Sequence, residues 1–143
     1  MVIIDTSVLL DLFLEDEERR ERAEELMKAV KTVIYEPKVF KIELAGTLSR
    51  RFRRDDVLSF IDEILTKVSL VDNPEELAFQ IALDTGCRAI DSYFIATAKL
   101  THSILITNDK VMAKNAKKAG IEAYYLIEEF DKALERIKKL QQL

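Results

Sequence analysis

Five short apolar runs, rich in β-branched and aromatic residues, punctuate the chain: VII (2–4), TVIY (32–35), VSLV (68–71), ILIT (104–107) and AYYL (123–126). Between them, apolar residues recur at helical spacing over 15–31, 38–54, 56–66, 75–87, 91–102, 109–119 and 128–142. Strands this short and this continuously apolar are buried on both faces, as happens when helices cover both sides of a parallel sheet. The alternation therefore predicts an α/β domain in three layers, α/β/α, around five parallel strands. Pro37 and Pro74 stand where helices are expected to begin, and Gly86 and Gly120 where they are expected to end.

A chain of 143 residues suits one domain, expected to span 1–143. With 3 Gly and 2 Pro there is little room for linkers. The single cysteine, Cys87, excludes an intramolecular disulfide and a cysteine-cluster metal site. It reads as a small, partly buried hydrophobe. No apolar run reaches bilayer length and no basic leader precedes the first strand, so a cytoplasmic protein is expected.

In an open parallel sheet, chemistry collects beyond the carboxyl ends of the strands, where strand order reverses. Asp5 follows the first apolar run directly, and Asp109 follows the fourth with only Asn108 between. Taken singly, Asp5, Asp91 and Asp109 each stand at a helix start, where Asp is a favoured cap worth about 1 kcal/mol. Helical phase adds more. Asp91 falls among Phe94, Ile95 and Ala98, and Asp109 shares a face with Met112, Ala113 and Ala116. Glu43 is mid-helix and cannot be a cap. It lies beside the stripe that runs through Leu44 and Leu48.

Acids on core-facing stripes need partners. No Lys or Arg stands on the strand-end segments beside Asp5 or Asp109, and the lone histidine, His102, reads as a solvated helix end. Carboxylates converging without cations would repel by about 4 kcal/mol per pair at 4 Å and an effective dielectric near 20. A divalent cation removes that repulsion. An all-oxygen set without Cys or His selects Mg²⁺ or Mn²⁺. Ser7, Thr107 and Asn108 flank the strand-end acids and suit hydrogen bonds to a carboxylate, a water or a phosphate, or simply turn and cap chemistry.

The net charge of −4 opposes a nucleic-acid partner unless a local basic track exists. SRRFRR (49–54) offers one. If residues 38–54 form one helix, Arg50 and Arg54 share a stripe with Glu43, roughly 10 and 16 Å along it. A basic helix end complementing the dipole explains the same residues.

VIIDTSVLLDL at the start, the mid-helix Glu43, AIDSYFIATA (89–98) and LITNDKVM (105–112) resemble, in order, the four motifs of the PIN domain. Length and spacing resemble the VapC-type toxin ribonucleases of prokaryotic toxin–antitoxin pairs. The resemblance implies a five-stranded parallel sheet in the order 3-2-1-4-5. It also implies a metal site of Asp5, Glu43, Asp91 and Asp109 supported by Thr107, and metal-assisted hydrolysis of RNA. A homodimer and an antitoxin that blocks the site follow from the same resemblance. Family members often carry Asn where Ser7 stands, and LGA where this chain has LTHS (100–103). A non-toxin RNA-processing nuclease and a catalytically silent scaffold fit the same fold. A receiver-type phosphoacceptor does not, since Asp72 follows the third strand but AYYLIEE supplies no lysine after the fifth.

Overall fold

The computed structural model describes residues 1–142. The elements run β1 (Val2–Ile4), α1 (Thr6–Asp11), α2 (Glu17–Ala29), β2 (Ile34–Pro37), α3 (Phe40–Leu48), α4 (Arg54–Leu65), β3 (Val68–Val71), α5 (Glu75–Thr85), α6 (Ala89–Thr101), β4 (Ile104–Thr107), α7 (Lys110–Lys118), β5 (Ala123–Tyr125) and α8 (Leu126–Leu140). The five strands form one parallel sheet in the order β3-β2-β1-β4-β5. Both the α/β class and the strand order are those expected. Among the described residues no helix is long and apolar enough to cross a membrane.

Burial follows position in the sheet. Every residue of the central strands β1 and β4 is buried, whereas the edge strand β3 leaves Ser69 and Leu70 exposed. Val2 and Ile3 pair with Ile34 and Tyr35 of β2 on one side, and Val2, Ile3 and Ile4 pair with Ile104, Leu105 and Ile106 on the other. The chain builds outward from β1 to β3, then crosses to the opposite flank to add β4. The reversal therefore falls between β1 and β4, and the register Ile4↔Ile106 ends both strands at the same level. Asp5 and Thr107–Asp109 leave the sheet side by side.

Two expectations need correction. Pro37 closes β2 instead of opening a helix, and α3 starts at Phe40. The boundary expected between helices 38–54 and 56–66 also moves: α3 ends at Leu48, and α4 begins at Arg54. No Gly or Pro marks the break. Arg53 turns extended (φ −69°, ψ 145°), and Asp55 and Asp56 occupy the first turn of α4, where the helix dipole favours acids. The turn lets Phe52 and, from α4, Phe60 pack edge-on against Phe13, with ring centroids at 4.6 and 5.0 Å. Arg50 and Arg54 consequently share no helical stripe with Glu43, and the track inferred from that stripe does not exist.

Candidate active site

Asp5 sits at the switch between β1 and β4. Its N–H donates to Ile106 C=O at 2.9 Å, completing the sheet before the backbone turns into α1. Although Asp5 holds the N-cap position, its side chain makes no capping bond. Ser7 Oγ (2.7 Å) and Thr107 Oγ1 (2.8 Å) both donate to Oδ2 instead, leaving Oδ1 as the oxygen they do not engage. Asn108 fastens the two strand-end segments together. Its N–H donates to Ser7 Oγ (3.0 Å), and its Nδ2 donates to Ser7 C=O (3.2 Å) and Asp11 Oδ2 (2.7 Å). Arg19 holds Asp11 from the other side at 3.2 Å. Asn108 thus acts on the acidic cluster through Ser7.

Asp109 divides its two oxygens. Oδ1 caps α7 by accepting from Val111 N–H (2.9 Å) and Met112 N–H (3.2 Å), and Oδ2 accepts from Arg88 Nη2 at 2.8 Å. Capping and site chemistry are therefore compatible in one residue. Asp91, expected to start its helix, lies in the first turn of α6, which begins two residues earlier. It is 4% exposed, and both its oxygens accept from Arg88, at 3.1 and 3.2 Å. Arg88 overturns the expectation that the acids converge without a cation. Glu43 projects from α3 half-buried, with Oε1 shut from solvent and lacking a hydrogen-bond partner. Thr6 Oγ1 sits near enough to ease the Glu43 charge but makes no bond of ordinary geometry, so it too is orphaned.

The four acids act on one another. Burial pushes the Asp5 carboxyl above its usual range, against the Ser7 and Thr107 bonds, and the Asp91 charge adds to the rise. Burial raises Glu43 as well, with Asp5 and Asp91 reinforcing it. For Asp91 burial outweighs the opposing Arg88 bond, and Asp109 pushes the same way. A fifth carboxylate, not anticipated, joins this field. Glu36 in β2 is fully buried, neither of its oxygens has a partner, and burial plus the Asp5 and Glu43 charges hold its pKa well above normal. A charged residue directly before a proline looked like a strand end, which hid it.

A model of the PIN domain matches residues 2–118. The chain belongs to the PIN domain family. The matched stretch runs from β1 through α7 and carries all four candidate acids, while β5 and α8 lie beyond it. Solved structures share this PIN fold at low identity. PAE2754 from Pyrobaculum aerophilum is 15% identical with a TM-score of 0.65, covering 96% of this chain and 95% of that one. FitAcB from Neisseria gonorrhoeae is 16% identical with a TM-score of 0.67, over 87% and 96% of the two chains. A toxin–antitoxin complex from Klebsiella pneumoniae is 18% identical with a TM-score of 0.62, over 76% and 87%. No curated protein matches the sequence.

The donor set of this PIN domain suits a hard divalent cation. Its candidate ligands are all oxygens, mutually repelling, and Glu43 Oε1 is buried without a partner. Among the described residues, however, no three His, Cys, Asp or Glu side chains stand closed around an ion position. The Arg88 guanidinium instead engages Asp91 and Asp109.

Proposed function

We propose that this PIN domain is a metal-dependent ribonuclease that hydrolyses RNA phosphodiester bonds, with the whole chain acting as one nuclease domain. The observation that carries the reading is the mutually repelling set Asp5, Glu43, Asp91 and Asp109 at the β1/β4 switch, with an orphaned buried oxygen on Glu43. Asp5, Asp91 and Asp109 would hold Mg²⁺ or Mn²⁺. Glu43 would hold it directly, through water, or act on the attacking water. When bound, the ion supplies Lewis-acid chemistry, lowering the pKa of water and offsetting charge that builds on the phosphate. Ser7 and Thr107 keep the Asp5 carboxylate in one orientation. Asn108 holds Ser7 in place.

Cleavage of a panel of structured RNAs by the purified protein tests the reading. Cutting is expected with Mg²⁺ or Mn²⁺ and none with EDTA. Metal-independent cutting, or well-folded protein that binds no divalent ion, would overturn it.

A groove between α3, the end of β3 and α6 is the candidate path for the strand. Its lining includes Lys38, Lys41, Ile42, Asp72, Glu75 and Tyr93 and none of the four acids, with a volume of about 370 Å³. Lys38 is paired with Asp72, so the exposed Lys41 and the half-buried Tyr93 are the natural phosphate and base contacts. Lys41→Ala and Tyr93→Ala should each weaken RNA binding about tenfold, worth roughly 1.4 kcal/mol. Fluorescence anisotropy with Ca²⁺ in place of Mg²⁺ reads this directly. Unchanged affinity in both would remove the groove from the RNA path.

The biological role proposed is the toxin of a type II toxin–antitoxin pair, acting in the cytoplasm as a homodimer. Structural likeness to a toxin–antitoxin complex supports this. So do two uncovered apolar areas. Phe79 and Leu83 on α5 and Leu100 on α6 are 63%, 66% and 48% exposed and suit a second copy. Ile42 on α3 and Leu58 on α4 flank a separate groove suited to an antitoxin segment.

A further inference from the structure

The Arg88 guanidinium engages two of the carboxylates that would hold the metal. Nε and Nη2 take both oxygens of Asp91 at 3.1 and 3.2 Å, and Nη2 also reaches Asp109 Oδ2 at 2.8 Å. A small divalent ion would draw on the same carboxylate oxygens at about 2.0–2.1 Å. Two cations that close repel, so loading the ion disfavours the Arg88 contacts with Asp91 and Asp109.

The acids are built to stay while the guanidinium moves. Asp109 remains tied to the first N–H groups of α7 through Oδ1, and Asp5 to Ser7 and Thr107. Arg88, by contrast, stands just before α6 on extended backbone (φ −65°, ψ 152°), with 69% of its side chain exposed. Once displaced, a planar fork of donors remains within a side-chain length of the carboxylates. That geometry matches phosphate oxygens, which it can bind bidentately.

Resting on the ribonuclease reading, we infer that Arg88 is a positioning residue with two stations: the carboxylates of Asp91 and Asp109 in the ion-free protein, and a phosphate of the RNA strand once metal is bound. One cation thus neutralises the acids before loading and the substrate after it.

Arg88→Ala and Arg88→Lys test this by two measurements, Mn²⁺ titration calorimetry without RNA and binding of a single-stranded RNA with Ca²⁺ over a range of KCl. Arg88→Ala should bind Mn²⁺ about tenfold tighter and RNA about tenfold weaker, with a salt slope shallower by about 0.7 for one lost phosphate contact. Arg88→Lys keeps the charge but cannot span both acids, and should fall between wild type and alanine in both measurements. Unchanged or weaker Mn²⁺ binding in Arg88→Ala, or RNA affinity and slope equal to wild type, would overturn the inference while the nuclease reading stood. Wild-type protein that binds neither Mn²⁺ nor RNA would instead bring down the nuclease reading itself.

Discussion

Asp5→Asn should lower the proposed RNA cleavage by about 10³-fold or more without loosening the fold. The carboxylate is 7% exposed at the strand switch and engages both Ser7 and Thr107 through one oxygen. Asparagine keeps the shape and one acceptor oxygen, so those two bonds survive. What it removes is the charge that would hold the cation, and losing several kcal/mol of transition-state stabilisation has an effect of this size. Stability should move the other way. Burial raises the Asp5 pKa, so at pH 8 without metal its charge opposes folding, and the Asn variant melts at the same temperature or higher. Cleavage assays beside thermal unfolding in EDTA check both halves. Retained activity would take Asp5 out of the chemistry, and a lower melting temperature would make its role structural.

Glu36→Gln should stabilise the metal-free protein at pH 8, because it removes the cost of protonating this carboxyl, or burying its charge, at that pH, while the buried amide stays as unpartnered as the carboxyl was. Glu36 is wholly enclosed, its two oxygens lack partners, and its pKa stands well above the usual range chiefly through burial, with Asp5 and Glu43 adding to it. Between the ordinary carboxylate pKa and the raised folded one, the folded chain holds a proton that the unfolded chain has released. Stability therefore falls as pH rises through that window and is greatest below it. Asp5, Glu43 and Asp91 contribute in the same direction, but Glu36 is the one held furthest from solvent. Urea unfolding in EDTA from pH 5 to 8 should show a falling slope in wild type and a clearly flatter one in Glu36→Gln. Equal slopes would mean that Glu36 is not the group that titrates.

The fold was legible because its signal is redundant. Continuous apolar strands, helical periodicity and strand-end acids each point to a parallel sheet, and no one of them has to be right alone. Asp5 and Asp109 were visible because strand order at a switch point dictates where neighbouring strands end. Glu43 was singled out as a mid-helix acid, but α3 starts at Phe40 and so puts it in the first turn. Arg88 was not visible. Its contact with Asp109 spans 21 residues and depends on how α6 docks against the end of β4. The break between α3 and α4 was placed after residue 54 instead of after Leu48, because the chain turns there without Gly or Pro, so Arg50 and Arg54 were read onto the stripe of Glu43. Glu36 was hidden by the opposite habit. A charge next to a proline was assigned to a boundary, when the strand continues through both residues.

The hydrogen bond from Thr107 to Asp5 joins residues 102 apart in sequence. Because β1 is the middle strand, its second flank stays bare until β4 is in place, and contacts of such separation form slowly and late. During synthesis the first three strands can associate while Asp91 and Asp109 have yet to leave the ribosome. Residue order along the chain thus acts as a timer. A polypeptide that stops just short of residue 104 carries Asp5, Glu43 and Asp91 on an unfinished sheet but lacks Asp109, and the candidate site is complete only once residues 104–109 have been made.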